Sequence, residues 1–259
     1  MSQDRPTGTS ALTVPEHVYG FPGVGFGGYA AGLLAREAGG AGGGTVQVNF
    51  RRPVPLGTPL AVLPAGDGGY EAAADGAVVL TALAHPDVAV PPAVPTWEQA
   101  LRAVKERPLA DGIGVGRDDC WGCGADREPG AGLRQGFGAW DEGRMAVAAW
   151  TPDPALNPGE RHLSAAQLWG ALDCPGGWAC RVFAQAPVGT VTVSLTTTVT
   201  RPVVLGEDHV TFGWTVSASG RKYRAGSAIV TRDGEVCARA EALWLAPSPL
   251  PGGSQRRPA

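Results

Sequence analysis

The chain has 259 residues, of which 44% are hydrophobic, and its formal net charge is −3 at pH 7. This length suits one large domain or two small ones. Because Lys and Arg are scattered rather than gathered in a stripe, the composition argues against a nucleic-acid partner. The N-terminal residues lack the pattern of a signal peptide and no apolar run is long enough to cross a bilayer, so we expect no membrane partner and a cytoplasmic location.

The first part of the chain has the pattern of a helix followed by strands. Residues 1–13 are polar and are expected to be a disordered tail. A Gly-rich segment then leads into a short apolar helix at 29–37, which a run of glycines ends. Alternating or apolar patterns predict strands at 45–50, 60–63 and 76–83. These elements define a first unit, residues 14–86.

Residues 87–132 are predicted to connect this unit to a second one. The segment begins with a Pro-rich stretch, and Thr96 with Gln99 has the form of a capping box that opens a helix at 97–106. A loop-like region with Cys120 and Cys123 follows.

The second unit, residues 133–247, is predicted to contain a long apolar helix at 165–183, and residues 248–259 a disordered tail. Strand patterns lie before and after the helix. They are centred at 133–137, 144–150, 190–201, 209–217, 224–231 and 236–244.

The two units repeat each other. The segment RPVPLG at 52–57 returns as RPVVLG at 201–206, and the turn signal Asp-Gly at 75–76 returns at 233–234. In both units an apolar helix precedes the first strand, which leads into the RPVxLG segment. The order of helix, strand, RPVxLG, strand, Asp-Gly and strand therefore predicts a duplicated α+β unit.

Asp173 is the most informative residue of the sequence. It lies in a helix that is apolar on every side, where an isolated carboxylate must be paired, hydrogen-bonded, neutralised or open to a cleft. It also lies two residues before Pro175, so it could instead cap a second helical turn. A functional carboxylate and a helix cap are thus the two interpretations.

A buried apolar helix wrapped by an antiparallel sheet, present twice in one chain, resembles the double hotdog fold of acyl-CoA thioesterases. The resemblance implies an α+β chain of two tandem hotdog repeats. It also implies a composite site, in which amides at the helix start of one repeat face a carboxylate of the other.

The resemblance places that site on particular residues. Gly27 and Gly28 match paired glycines of the phenylacetate-pathway type of hotdog thioesterase, and Gly23 matches an earlier glycine. The acidic position falls on Ala35 in the first repeat and on Asp173 in the second. The repeats are thus complementary, as expected if one of two composite sites survived duplication.

The sequence also departs from the family. The Asn and His of the motif fall on Gly20 and Phe26, so two polar substrate contacts are absent, and the glycine pair of the second repeat is replaced by alanines at 165–166. Acyl-CoA thioesterase II has an Asp early in the strand before its RP-like turn, whereas residues 194–198 contain no acid. An Asp/His dehydratase pattern is absent as well.

Physical chemistry gives these residues roles in cleaving a thioester. Unpaired amides at a helix N-terminus stabilise the oxyanion that forms on a carbonyl, which suggests Gly27 and Gly28 as donors. The carboxylate of Asp173 would attack the carbonyl or deprotonate a water molecule. The alternative for the glycines is a tightly packed loop-to-helix turn.

Further substrate contacts are assigned to residues around this site. They are Gly23, Phe26 and Trp169, together with a basic hairpin turn that would hold the phosphates of coenzyme A; that turn consists of Arg221, Lys222 and Arg224. Core packing is the alternative for the tryptophan, and a solvated turn is the alternative for the basic residues.

The five cysteines are an odd number without the spacing of a disulfide scaffold, which favours reduced thiols. Cys120 and Cys123 form a C-x-x-C segment. Two thiolates do not complete a tetrahedral zinc site, so we expect no metal and interpret the segment as a structural turn over the cleft; zinc and a redox pair are the alternatives.

The sequence therefore predicts an enzyme that hydrolyses an acyl thioester, with a small-molecule partner and no cofactor beyond coenzyme A as part of the substrate. The alternatives are a non-catalytic acyl-CoA or small-molecule binding protein and a hotdog dehydratase or cyclase of a biosynthetic pathway. A homodimer is compatible with the sequence.

Overall fold

The computed structural model describes residues 10–39, 44–66, 68–88, 90–109, 119–124 and 127–248. The helices are α1 (Gly27–Glu37), α2 (Trp97–Glu106) and α3 (Ala165–Ala184), with a short 3₁₀ turn at Pro154–Leu156. No helix in these ranges is long and apolar enough to cross a membrane.

The strands outnumber the helices, and most of them belong to one sheet. They are β1 (Ser10–Leu12), β2 (Tyr19–Phe21), β3 (Val24–Gly25), β4 (Thr45–Phe50), β5 (Leu60–Pro64), β6 (Tyr70–Ala74), β7 (Ala77–Ala84), β8 (Gly138–Trp140), β9 (Met145–Trp150), β10 (Val191–Val199), β11 (His209–Ser219), β12 (Lys222–Thr231) and β13 (Val236–Leu245). Among the described residues, eleven of them form one antiparallel sheet, and β2 and β3 pair separately.

The strand order shows the duplication. The sheet runs β1-β5-β6-β7-β4-β10-β13-β12-β11-β9-β8, so the order β5-β6-β7-β4 of the first repeat is mirrored by β10-β13-β12-β11 of the second. The strand that follows each repeat's helix lies at the centre, and β4 pairs with β10, with Val48 opposite Leu195. The predicted duplicated α+β unit is confirmed, and its sheet is continuous across the repeat boundary.

The helices α1 and α3 pack directly against each other because glycines allow their backbones to approach closely. A Cβ atom on Gly32 would lie 2.6 Å from the carbonyl oxygen of Ala165, and one on Gly28 would lie 2.8 Å from that of Trp169. These distances leave no room for a larger side chain. The pair of helices therefore forms one core, which both halves of the sheet enclose.

Helix α3 is continuous through Pro175, so Asp173 does not cap a helix and that interpretation is wrong. Its N-cap is Ser164, in a capping box with Gln167. A proline within a helix has no N–H to donate to the carbonyl four residues before it. Here the side-chain amide of Gln135 donates to the oxygen of Ala171 at 3.2 Å and takes the place of the missing donor.

Helix α2 covers the outer face of the sheet, beside β8 and β9. Its predicted capping box of Thr96 and Gln99 is present. Ala100 and Ala103 pack with residues of the sheet into a second, smaller apolar cluster, which includes Met145. The segment between the repeats is thus a docked element of the fold.

Some predicted elements differ from the structure. Residues 133–137 form no strand, and β8 begins at Gly138 instead. Residues 10–12, predicted to belong to a disordered tail, form β1 and pair with β5. Strand β6 was not predicted because its run of small residues has no strong alternation. The remainder of the N-terminal tail, residues 1–9, and residues 249–259 of the C-terminal tail lie outside the described ranges.

Candidate functional site

A mostly apolar cavity of ≈ 360 Å³ lies where elements of the two repeats meet. The first repeat contributes the start of α1, the end of β4 and the turn that follows it. The second contributes the middle of α3, the start of β10 and a residue of β13. The apolar side chains on its wall are Phe21, Val24, Phe26, Phe50, Pro53, Val54, Val191, Val193 and Trp244.

Asp173 lies on the wall of this cavity and is only 4% exposed. Its Oδ2 accepts a hydrogen bond from the backbone amide of Gly28 at 2.9 Å. Its Oδ1 accepts one from the hydroxyl of Thr192 at 2.8 Å. Since one donor comes from each repeat, the carboxyl group is fixed in place across the repeat boundary.

Burial determines the acidity of this carboxyl group. Removal from water raises the pKa of Asp173 and the hydrogen bonds from Thr192 and Gly28 lower it, which together leave it raised from 3.8 to about 6. The group therefore changes protonation state near neutral pH, which suits a group that exchanges a proton with a reacting molecule.

The two glycines at the start of α1 differ in role. The amide of Gly28 is committed to Asp173. The amide of Gly27, at the first helical position, has no hydrogen-bond partner within the described ranges, and Gly27 lines the cavity. A Cβ atom on Gly27 would lie 3.4 Å from Oδ2 of Asp173, so Gly27 lies beside the carboxylate.

The structure brings some of the predicted site residues together. Phe26, Gly27 and Asp173 line the cavity, and Gly28 contacts the carboxylate. Gly23, with φ of 73°, forms the turn between β2 and β3 and is not on the wall. Trp169 is buried in the core, which is the alternative that the sequence left open for it.

The basic hairpin turn does not line the cavity, contrary to the predicted role of its residues in substrate binding. Arg221 donates to the carbonyl of Ala246, and Arg224 forms an ion pair with Glu241. Lys222 is exposed beside them. Arg221 and Arg224 therefore connect the β11–β12 hairpin to β13 and the residue that follows it.

Other cationic side chains, which the sequence reasoning missed, lie at the cavity. Arg51 and Arg52 follow β4, line the cavity and are exposed, and neither has an ion-pair partner in the described part of the chain. Two consecutive arginines at the start of the first RPVxLG segment were the feature of the sequence that could have indicated a phosphate-binding role. Thr192 was also missed, since nothing distinguishes it from the other threonines of β10.

Three cysteines form a cluster beside Asp173. The sulfur atoms of Cys120, Cys123 and Cys174 all lie within 4.8 Å of one another. Hydrogen bonds from the thiols of Cys123 and Cys174 hold the pKa of Cys120 well below its usual range, while the pKa values of those two thiols are raised well above theirs. The expectation of no metal relied on two thiols, and the structure supplies a third.

Comparison with solved structures defines the class of fold, a double hotdog. A hot dog fold protein from Alicyclobacillus acidocaldarius has a TM-score of 0.60 at 16% identity, covering 95% of this chain and 96% of that one. The acyl-CoA thioesterase II TesB2 from Mycobacterium marinum has a TM-score of 0.54 at 16% identity, with 88% and 91% covered. The dehydratase domain of a mycocerosic acid synthase-like polyketide synthase scores 0.57 at 17% identity, with 87% and 83% covered.

The predicted double hotdog fold of class α+β is thereby confirmed. No protein-family model and no curated protein matches the sequence.

Proposed function

We propose that the protein hydrolyses acyl thioesters in the cavity between its repeats, with Asp173 as the catalytic carboxylate. The observation that carries this proposal is the position of Asp173. It is a buried carboxylate on an apolar cavity wall, oriented by two hydrogen bonds and next to Gly27, whose backbone amide has no partner in the described ranges.

The reaction requires an electrophilic carbonyl to be polarised and attacked. The amide of Gly27, at the positive end of the α1 dipole, is the donor available to the carbonyl oxygen, which revises the predicted pair of donors to one. The amide of Gly28 instead orients the carboxylate. Each carboxylate oxygen accepts one hydrogen bond and retains a lone pair that can act on the substrate or on water.

Asp173 can act as a general base or as a nucleophile. As a base it takes a proton from water while the water oxygen bonds to the carbonyl carbon; the C–S bond then breaks, and the carboxyl returns the proton to the leaving thiolate. As a nucleophile it attacks the carbonyl carbon, the C–S bond breaks and the thiolate leaves; water then cleaves the resulting anhydride, which regenerates the Asp173 carboxylate and releases the proton that the thiolate takes up. Both routes give a carboxylic acid and a thiol.

The cavity supplies separate surroundings for the two ends of an acyl-CoA. Its apolar wall accommodates the acyl group through burial of apolar surface. Arg51 and Arg52, which have no acidic partner in the described ranges, are suited to bind the phosphates of coenzyme A. They replace the basic hairpin turn as the phosphate-binding residues of the proposal.

The alternatives are weaker on specific grounds. A hotdog dehydratase uses an Asp/His pair, and none of the cavity-lining residues in the described ranges is a histidine. A non-catalytic binding protein has no need of an oriented buried carboxylate, since burying that charge is costly.

The proposal is tested by measuring thiol release from a panel of acyl-CoA substrates of different chain lengths, each paired with the N-acetylcysteamine thioester of the same acyl group. We expect turnover of at least one acyl-CoA. In the double variant Arg51→Gln, Arg52→Gln, the KM for that acyl-CoA should rise by about tenfold or more, because each lost phosphate contact removes a charge-assisted hydrogen bond. The KM for the phosphate-free thioester should not change.

Absence of thiol release across the whole panel would favour a binding protein. Formation of an enoyl product from 3-hydroxyacyl thioesters, without thiol release, would favour a dehydratase. Either result would remove hydrolysis as the function.

A further inference from the structure

We propose that Cys120, Cys123 and Cys174 form a zinc site, with the fourth ligand supplied from the cavity. This inference concerns the bound metal and does not depend on thioester hydrolysis. It rests on the geometry of the three sulfur atoms, on the donors around them and on the rigidity of the loop that carries two of them.

The sulfur atoms have nearly the spacing that zinc requires. Tetrahedral zinc with Zn–S bonds of about 2.3 Å places its sulfur ligands about 3.8 Å apart. In the structure, all three lie within 4.8 Å of one another, so side-chain shifts of about 1 Å or less would form the site. Three thiolate ligands select zinc over harder ions such as Mg²⁺ or Ca²⁺.

The loop that carries Cys120 and Cys123 has the geometry of a metal-binding knuckle. The amide of Gly124 bonds to the carbonyl of Cys120 at 2.8 Å, and the backbone amides of Gly122 and Cys123 contribute to the lowered pKa of the Cys120 thiol. Such amides stabilise negative charge on sulfur without a neighbouring cation.

A second donor approaches the cluster from α3. The indole N–H of Trp178, a residue that is 4% exposed, has no hydrogen-bond partner within the described ranges, and it lies near enough to Cys123 to lower the pKa of that thiol. A buried donor without a partner beside a cysteine would be satisfied by the stronger acceptor that a metal-bound thiolate provides. Trp178 lies one helical turn after Cys174, so α3 presents a ligand and a supporting donor together.

The loop is also held rigidly against the helix. The amide of Trp121 donates to the carbonyl of Tyr19, and the amide of Gln135 donates to that of Gly122. A Cβ atom on Gly122 would lie 2.6 Å from the sulfur of Cys174, so only glycine allows this close approach. The three ligands are therefore positioned before any metal binds, which lowers the free-energy cost of assembling the site.

The fourth ligand of the metal would come from the cavity. Cys120 and Cys174 both line it, so a metal bound to their sulfur atoms would be reached from the cavity. A water molecule or a thiol ligand in the cavity would complete the tetrahedron. Three protein ligands with one open position are the arrangement of a zinc site that is accessible to small molecules.

The experiment uses the full chain, purified under reducing conditions without a histidine tag. Zinc is added, excess metal is removed, and metal per chain is measured; Co²⁺ is then used as a spectroscopic probe. We expect one metal per chain and, with cobalt, intense sulfur-to-metal charge-transfer absorption. Each of Cys120→Ser, Cys123→Ser and Cys174→Ser should weaken cobalt binding by about a hundredfold or more, since losing a direct ligand exceeds the 10–100-fold effect of losing a supporting partner.

The matched control is Cys180→Ser, which changes another buried cysteine of α3 outside the cluster and should retain the wild-type spectrum. The wild-type measurement alone tests the proposal if a variant fails to fold. The proposal is overturned if the wild type retains no stoichiometric metal or if Cys174→Ser keeps the charge-transfer band. It is also overturned if the reduced protein binds no metal while air oxidation converts two of the cluster thiols to a disulfide.

Discussion

Asp173 and Thr192 show how much of the site depends on single side chains. The hydroxyl of Thr192 is the one side-chain donor to the carboxylate in the described ranges, and Gly28 supplies the other hydrogen bond from the backbone. A group that reacts must be oriented as well as present, and these two donors fix both oxygens. Thr192 is therefore a positioning residue in the proposed mechanism.

Replacing Thr192 by Val keeps the shape of the side chain but removes its hydroxyl. A hydrogen bond to a charged group contributes about 1.5–3 kcal/mol, so we expect kcat to fall by about 10–100-fold. The control is Thr197→Val on the same strand, because the Thr197 hydroxyl is buried without a partner in the described part of the chain. Steady-state kinetics of both variants check the prediction. Equal loss in the two would mean that the effect is one of packing.

The sequence revealed Asp173 but not its surroundings. A lone carboxylate in an apolar helix is conspicuous at the level of composition, since its burial is costly. The roles of Thr192 and Cys174 are visible only in the fold, which places Thr192 beside Asp173 and Cys174 beside the loop of Cys120 and Cys123. Their roles arise from tertiary contacts, which a local pattern does not encode.

Helix α3 is continuous although it contains a proline. Pro175 removes the N–H that would bond to Ala171, and Gln135 supplies a donor from the loop before β8. A kink or a break is the usual result of an internal proline. The helix persists because that loop compensates for the missing donor.

This compensation predicts a coupled pair of substitutions. Gln135→Met should reduce the free energy of unfolding by about 1–3 kcal/mol, since it leaves a buried carbonyl without its side-chain donor. In the background of Pro175→Ala, which restores the helical N–H, the same substitution should cost much less. Urea unfolding of the four proteins of this double-mutant cycle measures the coupling. Additive effects would show that Gln135 acts independently of the proline.

The two repeats share the pair of helices α1 and α3 and the paired strands β4 and β10. Strand β4 pairs with β10 and helix α1 packs on α3. Neither repeat therefore has a complete hydrophobic core without the other. The sequence predicted this architecture because duplication, helix periodicity and turn signals agreed with one another. It did not predict β1, β2, β3 or β6, whose short or weakly alternating segments depend on pairing partners.

The shared core predicts cooperative unfolding. Far-ultraviolet circular dichroism and tryptophan fluorescence should give coincident urea transitions, because secondary structure and core packing are lost in both repeats together. Two separated transitions would instead indicate repeats that unfold independently.

The most direct test of the proposed mechanism is Asp173→Asn. The Asn oxygen can accept from Gly28 and its amide can donate to the hydroxyl of Thr192, so both contacts can be retained and the variant should melt at or above the temperature of the wild type. Asn cannot accept a proton or form an anhydride.

With an acyl-CoA that the wild type cleaves, we expect the variant to bind the substrate with similar affinity and to release thiol about 10²–10⁴-fold more slowly. Melting temperature, binding and turnover are measured on the same preparation. Turnover equal to that of the wild type would contradict the assignment of Asp173 as the catalytic carboxylate.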